Sequence, residues 1–384
     1  MPGRVAPLDG IRAIAVMMVI VFHTTSLSGF PLSWLGPLAT PVVHGWMGVD
    51  LFFAMSGFLI TRLWIDEEAS APAEAAASRL RRFYARRSLR ILPLYYFTLV
   101  AFIVLARWVP LPSIVPFARR VASHPGRLVP YLFFYSNYVD FGRDGAFAAR
   151  WSLGVEEHFY LLWPCALLLA RSRRTRIIVA AAACASILAL RCFAIVYGDH
   201  KHGWASYMYV HYASHLRIDS ILWGCLVALL YETAVREVRA RRLGLALATS
   251  ALALLIVTGE ATILRTPAPL GAGLGSSVLA LAAALLCAEV TAAPRSILAR
   301  ALMLPPLPQI GFHSYAIYLT HPLAIDVAID LVFRPVAVPT IWHWLLLNVV
   351  TVALAMGASM ILHATLERPF RALRARFRVA PQAT

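Results

Sequence analysis

An all-α, polytopic membrane protein of about ten transmembrane helices is the fold the sequence predicts, and three observations carry that reading. The first is composition. Of 384 residues, 60% are hydrophobic and 14% charged, with a mean hydropathy of +0.70, whereas soluble domains carry roughly 25% charged residues. Such a deficit matches segments with no water to solvate an ion. The second is the spacing of apolar runs. Windows near 13–30, 42–65, 91–109, 151–170, 176–197, 215–232, 243–263, 271–290, 312–333 and 341–363 are each long enough to cross a hydrocarbon layer about 30 Å thick. The third is charge placement. The formal charge of +16, from 35 Lys+Arg against 19 Asp+Glu, collects between the apolar runs, as the retention of basic loops in the cytoplasm requires.

These features exclude a secreted, disordered or nucleic-acid-binding chain, although the same charge in a soluble protein would suggest nucleic acid. Cys165, Cys184, Cys192, Cys225 and Cys287 all lie inside apolar runs without metal-ligand spacing, and read as small buried hydrophobes. The first apolar run follows Arg4 and Arg12 and carries a histidine, which argues against a cleaved signal peptide.

Basic clusters fall at 79–90, 171–176, 236–242, 295–300 and 368–378. If all five are cytoplasmic, an even number of crossings separates each pair. That requires ten spans with both termini inside the plasma (inner) membrane. An eleventh run, 128–138, is short and has Pro130 near its start, so it reads as re-entrant or interfacial. The loop 109–150 spoils the pattern, because Arg119, Arg120, Arg127, Arg143 and Arg150 would then lie outside. Either the eleventh run crosses and a later one does not, or those arginines face a bound anion or substrate. Residues 67–77, rich in Ala, Glu and Pro, read as a flexible stretch. Residues 1–370 form the transmembrane unit and 371–384 a short basic cytoplasmic tail, with no room for an appended soluble domain.

An ionisable side chain inside a membrane helix costs about 2.5–3.5 kcal/mol on insertion scales, so each needs a partner or a role. Arg12 and His23 are eleven residues apart, which returns a helix to within about 20° and climbs about 16 Å. They share one face, three turns apart. Asp50 sits in the second run, where Ser56-Gly57 permits close backbone approach, and its simplest role is pairing with a buried cation. Arg87 and Arg90, three apart, form a fork of guanidinium groups suited to phosphate, with Arg86 beside them. Ser152, Glu156 and Tyr160 recur at i, i+4, i+8 behind Trp151 and share a face. Arg217 and Asp219 read as a local salt bridge, Tyr315 and Tyr318 as packing or belt residues. His321 precedes Pro322 within a helix. His200-Lys201-His202 reads as a solvated loop, and no metal site is expected. A coupled transporter or a lipid-linked-sugar flippase would also bury Asp, Glu, His and Arg among ten helices, though no inverted repeat is visible.

Six strings appear in order along nearly the whole chain: Leu8-Asp9-Gly10-Ile11-Arg12 with the Arg-x10-His spacing to His23; Val49-Asp50-Leu51-Phe52-Phe53 through Ser56-Gly57-Phe58-Leu59-Ile60; Arg86-Arg87 to Arg90-Ile91-Leu92-Pro93; Trp151-Ser152-Leu153 with Glu156 and Phe159-Tyr160; Ser314-Tyr315 to Tyr318-Leu319 with His321-Pro322; and Glu367-Arg368-Pro369. Together they resemble the membrane acyltransferase-3 family of bacterial O-acyltransferases. The resemblance implies transfer of an acyl group, usually acetyl, from acyl-CoA to a hydroxyl of a sugar, an envelope glycan or a glycosylated metabolite. Acyl-CoA is then a substrate and no tightly bound cofactor is expected. It also implies that Arg12 and His23 form the functional core and that Arg86, Arg87 and Arg90 hold the donor. Many relatives carry a C-terminal SGNH-type esterase domain, which this sequence lacks, so handover is expected within the membrane unit or through a partner.

The chemistry then needs a base, because a sugar hydroxyl is a poor nucleophile at neutral pH. His23 is the candidate base or acyl carrier. Asp9 would fix Arg12 from one turn away, and Glu156 would orient the imidazole or support the acceptor. Trp151, Ser152, Tyr160, His321 and Asp50 are the candidate substrate contacts.

Overall fold

The computed structural model describes residues 6–112, 114–139, 149–197, 209–231, 237–257 and 269–377. It is a bundle of helices, and no strand occurs among the described residues. The long helices are α1 (Ala6–Ser28), α2 (Gly48–Ser70), α3 (Ala76–Leu105), α4 (Trp151–Leu169), α5 (Arg173–Tyr197), α6 (Asp219–Leu230, after the turn Ser214–Arg217), α7 (Val238–Val257), α8 (Pro269–Ala292), α9 (Leu307–Val332) and α10 (Ile341–Leu362); a shorter α11 (Arg368–Ala375) follows. Each of the ten apolar windows coincides with one of the first ten helices. Seven segments among the described residues are long and apolar enough to cross a membrane by themselves. The helices outside that group are α4, which opens with Ser152, Glu156, Glu157 and His158, the short α6, and α7, which begins among arginines. The protein is a multi-pass membrane protein, and ten is an approximate count of its crossings.

The run 128–138 does not form a continuous span. It breaks into a 3-10 turn (Pro125–Leu128), one helical turn (Val129–Leu132) and a second 3-10 turn (Ser136–Tyr138). Pro130 falls in the first turn, where its missing N–H is tolerated; the helix breaks before Phe134, whose φ is +59°, and side-chain hydroxyls from α3 take the freed carbonyls: Tyr95 donates to the Tyr131 carbonyl and Tyr96 to that of Leu132, both at 2.8 Å.

Contacts between loops place the basic clusters at one end of the bundle. Glu68 accepts from both Arg79 at 3.0 Å and Arg176 at 2.6 Å. Arg173 reaches the Leu229 carbonyl at 2.6 Å, Arg86 reaches that of Phe377 at 2.9 Å, and Arg241 pairs with Glu289. The stretch 67–77 is therefore not a loose linker. Helix α2 continues to Ser70, α3 starts at Ala76, and Glu67, Glu68 and Glu74 are held by Arg79, Arg82, Arg86 and Arg176. Each of these glutamates has an arginine within reach, so the Ala- and Pro-rich composition does not decide its order.

Helix α1 runs through the middle of the bundle, between α2, α9 and α10. Close approach is possible because glycines replace side chains at the crossings. A Cβ on Gly311 of α9 would stand 1.7 Å from the Asp9 carbonyl oxygen, and one on Gly57 of α2 1.9 Å from that of Ile221 in α6. The obstacle in both cases is backbone, which cannot rotate away. Gly311→Ala is expected to destabilise the bundle by about 1–3 kcal/mol or more, and to push Asp9 and Arg12 from their places. An unchanged thermal unfolding midpoint in detergent would refute this account of the crossing.

Candidate active site

The helices enclose a cavity of about 550 Å³, lined from α1 by Leu8, Asp9 and Arg12, from α2 by Val49, Phe52 and Ser56, from α3 by Arg87 and Arg90, from α4 by Ser152, Glu156 and Tyr160, and from α9 by Tyr315 and Tyr318. Glu367, Phe370, Arg371 and Arg374 close one side. Three of the predicted donor and core arginines, Arg12, Arg87 and Arg90, thus meet in one space although their helices are remote in sequence.

Arg12 donates to Asp9 at 2.6 Å, one turn away on α1. Glu156 accepts from the Tyr160 hydroxyl at 2.7 Å and from Ser56 at 3.1 Å. The guanidinium of Arg87 lies 5.3 Å from the centre of the Tyr160 ring, within cation–π range. Ser152, Glu156 and Tyr160 all face the cavity, because positions four apart on a helix lie one above the other. Arg86 does not line this space. It pairs with Glu67 at 2.7 Å and with the Phe377 carbonyl, so it braces α3 against the chain's last described turn.

His23 also lies outside the cavity lining. The partition between them is Tyr318, whose hydroxyl donates to the Ala149 carbonyl at 2.9 Å and stands 2.7 Å from Ser152 Oγ. Ser152 Oγ also reaches the Ala149 carbonyl, at 3.4 Å, so the two hydroxyls and the carbonyl form one closed group. Behind Tyr318, His321 sits 5.5 Å away between ring centres, and His23 lies a further 5.1 Å on. Glu156 therefore does not orient the His23 imidazole, since it is held by Ser56 and Tyr160 within the cavity. That position is taken by His321, whose Nε2 is 3.2 Å from His23 Nδ1.

This pairing fixes a tautomer. His321 Nδ1 is 2.7 Å from the Tyr318 carbonyl, which can only accept, so Nδ1 carries the proton. In neutral His321 the other nitrogen, Nε2, then bears a lone pair and must receive Nδ1–H of His23. The lone pair of His23 is left on Nε2, the nitrogen available to take a proton. The outer turns of α1 are fixed by α10: Thr24 donates to Asn348 at 2.7 Å, and Trp344 donates to Thr25 at 2.9 Å.

Asp50 is fully buried and accepts from Arg217 at 2.8 Å and Ser220 at 2.9 Å. Arg217 and Asp219 are not a local pair. Successive residues opening α6 point in different directions, so Arg217 reaches α2 while Asp219 turns to Arg191 of α5, at 2.7 and 2.9 Å. Among the described residues, Asp50 Oδ2 and Arg217 Nε and Nη1 have no hydrogen-bond partner. The Arg217 guanidinium lies 5.9 Å from the Trp151 ring, and Trp151 in turn packs on His211 at 5.1 Å and Tyr212 at 4.8 Å. Trp46 completes the group, 5.5 Å from His211. Neighbouring Gly45 packs against Met18 and Phe22 of α1, which puts Trp46 beside the turn of α1 that precedes His23.

Sequence reasoning passed over Tyr318, Arg191 and Arg150. Tyr318 looked like an ordinary aromatic. Arg191 was visible as a charge deep in an apolar window, the signal that singled out His23. Arg150, placed with the loop arginines, is buried against the rings of Tyr95 and Phe102, at 5.7 and 5.2 Å. The tract 200–202, Arg143 and residues 378–384 lie outside the described residues. The boundary at 370/371 falls within α11, of which Arg371 and Arg374 line the cavity and Arg368 is exposed.

A family model for an acyltransferase domain, of the acyltransferase-3 type, matches residues 5–360. Among curated proteins, the chain is 29% identical over 375 residues to YrhL of Bacillus subtilis (strain 168), whose name assigns it provisionally to peptidoglycan O-acetylation, covering 91% of this chain and 52% of that one. It is 26% identical over 359 residues to the peptidoglycan O-acetyltransferase OatA of Listeria monocytogenes, covering 89% and 52%. It is also 26% identical over 333 residues to the O-acetyltransferase OatA of Staphylococcus aureus (strain NCTC 8325 / PS 47), covering 83% and 50%. The chain spans about half the length of the curated relatives it matches. No solved structure matches it. With the family's match running from α1 into α10, and so through the helices that carry Arg12, Arg87, Arg90, Glu156 and the histidine pair, the chain belongs to the acyltransferase-3 family of membrane acyltransferases.

Proposed function

We propose that the chain is an O-acetyltransferase that moves an acetyl group from acetyl-CoA to a hydroxyl of a carbohydrate acceptor, an envelope glycan of the peptidoglycan kind named for its relatives. The observation that carries the reading is the alignment of two sites. A cavity with Arg12, Arg87 and Arg90 ends at Tyr318, and the His321–His23 pair stands directly behind that residue. Guanidinium forks suit the phosphates of a CoA thioester, and an imidazole with a free Nε2 suits proton removal from a hydroxyl.

In this mechanism the basic end of the bundle faces the cytoplasm and admits acetyl-CoA, whose thioester reaches toward Tyr318. The acceptor approaches from the opposite face, over Trp46, Trp151, His211 and Tyr212. Beneath these rings the buried Arg217–Asp50 pair supports Trp151 from within the bundle. His23 Nε2 takes the hydroxyl proton as the alkoxide oxygen attacks the thioester carbon. The C–O bond forms, the C–S bond breaks, and the proton passes from His23 to the departing thiolate, so that ester and CoA thiol leave a neutral imidazole. Tyr318 and Ser152 separate the two substrates and must shift for the thioester to meet the hydroxyl.

The test is release of free CoA thiol from acetyl-CoA by membranes containing the chain, supplied with an envelope glycan extract. Thiol release matched by labelled acetyl in the glycan is the expected result. No release by correctly inserted protein across several acyl-CoAs and glycan extracts would overturn the proposal. Recovery of an acetyl-histidine after brief donor exposure without acceptor would replace the base role with a covalent relay.

A further inference from the structure

We propose that Arg371 and Arg374 of α11 hold the 3′-phosphorylated nucleotide end of the acyl-CoA donor. The proposal rests on the donor reading above and extends its site to a helix that lies beyond the family model's match. Glu367, Phe370, Arg371 and Arg374 all line the cavity, and their i, i+3, i+4, i+7 spacing is one helical face. The turn before them, His363–Glu367, is a π turn. Its one extra residue rotates everything beyond it by about 100°, which sets the direction α11 presents to the bundle. Arg371 and Arg374 are half-buried on that face, while Arg368 and Arg376 of the same segment are exposed.

Helix α11 is anchored where the donor would enter. Arg86 of α3 donates to the Phe377 carbonyl at 2.9 Å, and the Arg371 guanidinium lies 4.6 Å from the Phe312 ring centre. Arg371 and Arg374 thus repeat the three-residue spacing of Arg87 and Arg90 within one cavity. Five arginines line it against three carboxylates. Of those carboxylates, Asp9 holds Arg12, Glu367 holds His363 at 2.8 Å, and Glu156 is bonded to Tyr160 and Ser56. Two arginine pairs lining one cavity fit an anion with more than one phosphate. CoA carries a diphosphate and a separate 3′-phosphate, which makes two groups for two arginine pairs.

The experiment measures binding of CoA, dephospho-CoA (which lacks the 3′-phosphate) and pantetheine to the purified full chain. Wild type should prefer CoA over dephospho-CoA by about tenfold or more, the worth of one charge-assisted contact. Arg371→Gln/Arg374→Gln should bring that ratio near one with pantetheine binding unchanged, whereas Arg368→Gln/Arg376→Gln, at the exposed positions, should keep it. A preference that survives in the first variant, or falls equally in both, overturns the assignment and leaves the donor reading intact. No CoA binding by wild type overturns both. Displacement of CoA by phosphatidylglycerol, with CoA and dephospho-CoA bound equally, would mark a lipid-headgroup site instead. Should the first variant fail to fold, photo-crosslinking of wild type with 8-azidoadenine CoA decides. Label on residues 366–377 supports the proposal, and label confined elsewhere overturns it.

Discussion

His23→Ala is expected to lower acetyl transfer by about 100- to 10,000-fold, the range contributed by a positioned general base, while leaving CoA affinity near that of wild type. The split follows from geometry. His23 lies behind Tyr318 and outside the cavity lining, so its loss removes the proton acceptor without touching the donor arginines. His321→Phe should produce a smaller fall, about tenfold to a hundredfold, because a partner that orients a catalytic or ligating histidine contributes less than the ring itself. In that variant His23 Nδ1 loses its contact with His321 Nε2 and the ring keeps only the backbone hydrogen bond to Val19, so it is held less firmly. Full activity in well-inserted His23→Ala would remove His23 from the chemistry. An equal loss of CoA affinity and turnover would move it into the donor site.

The second large effect concerns stability. Asp219→Ala should destabilise the bundle by about 3–5 kcal/mol, the usual cost of stranding one member of a buried ion pair. Arg191 and Asp219 are 1% and 0% exposed and form a closed network. Arg191 donates to both carboxylate oxygens, to the Leu216 and Gly273 carbonyls at 2.7 and 2.8 Å, and to Ser277 at 2.6 Å. Removing the carboxylate leaves a guanidinium in the bundle interior. Arg191→Met/Asp219→Leu should be less destabilised than the sum of its single variants, since no charge then remains buried. Thermal unfolding of the four proteins in detergent gives the coupling, and strict additivity would show that the two side chains act independently. The Asp50–Arg217 pair is built differently, with polar atoms left unpartnered. That contrast separates a pair that ties α5, α6 and α8 together from one placed beneath a half-exposed aromatic group.

Much of the site was legible because helical periodicity acts within one segment. Arg12 and Asp9, the Ser152–Glu156–Tyr160 face and the Arg87–Arg90 fork are relations of i+3 or i+4, and the structure shows each on a shared face. Partners from distant segments were not legible. Arg217 looked paired to Asp219 two residues away, and only packing of α6 against α2 and α5 redirected both. Glu156 was matched with His23 by chemical type, yet Tyr318 and Ser152 stand between the cavity and the imidazole.

By itself the sequence determined a membrane-spanning helical fold, the approximate number of helices, and seven of the residues that line the cavity, Asp9, Arg12, Arg87, Arg90, Ser152, Glu156 and Tyr160. Hydropathy, charge and the 3.6-residue repeat are properties of short stretches, so they survive without any knowledge of neighbours. The tertiary structure alone decided which buried charges pair, that His321 rather than Glu156 meets His23, and that α11 turns its arginines into the cavity. Those outcomes depend on glycine-permitted helix crossings and on a single π turn, whose geometric effects appear only when the helices are packed together.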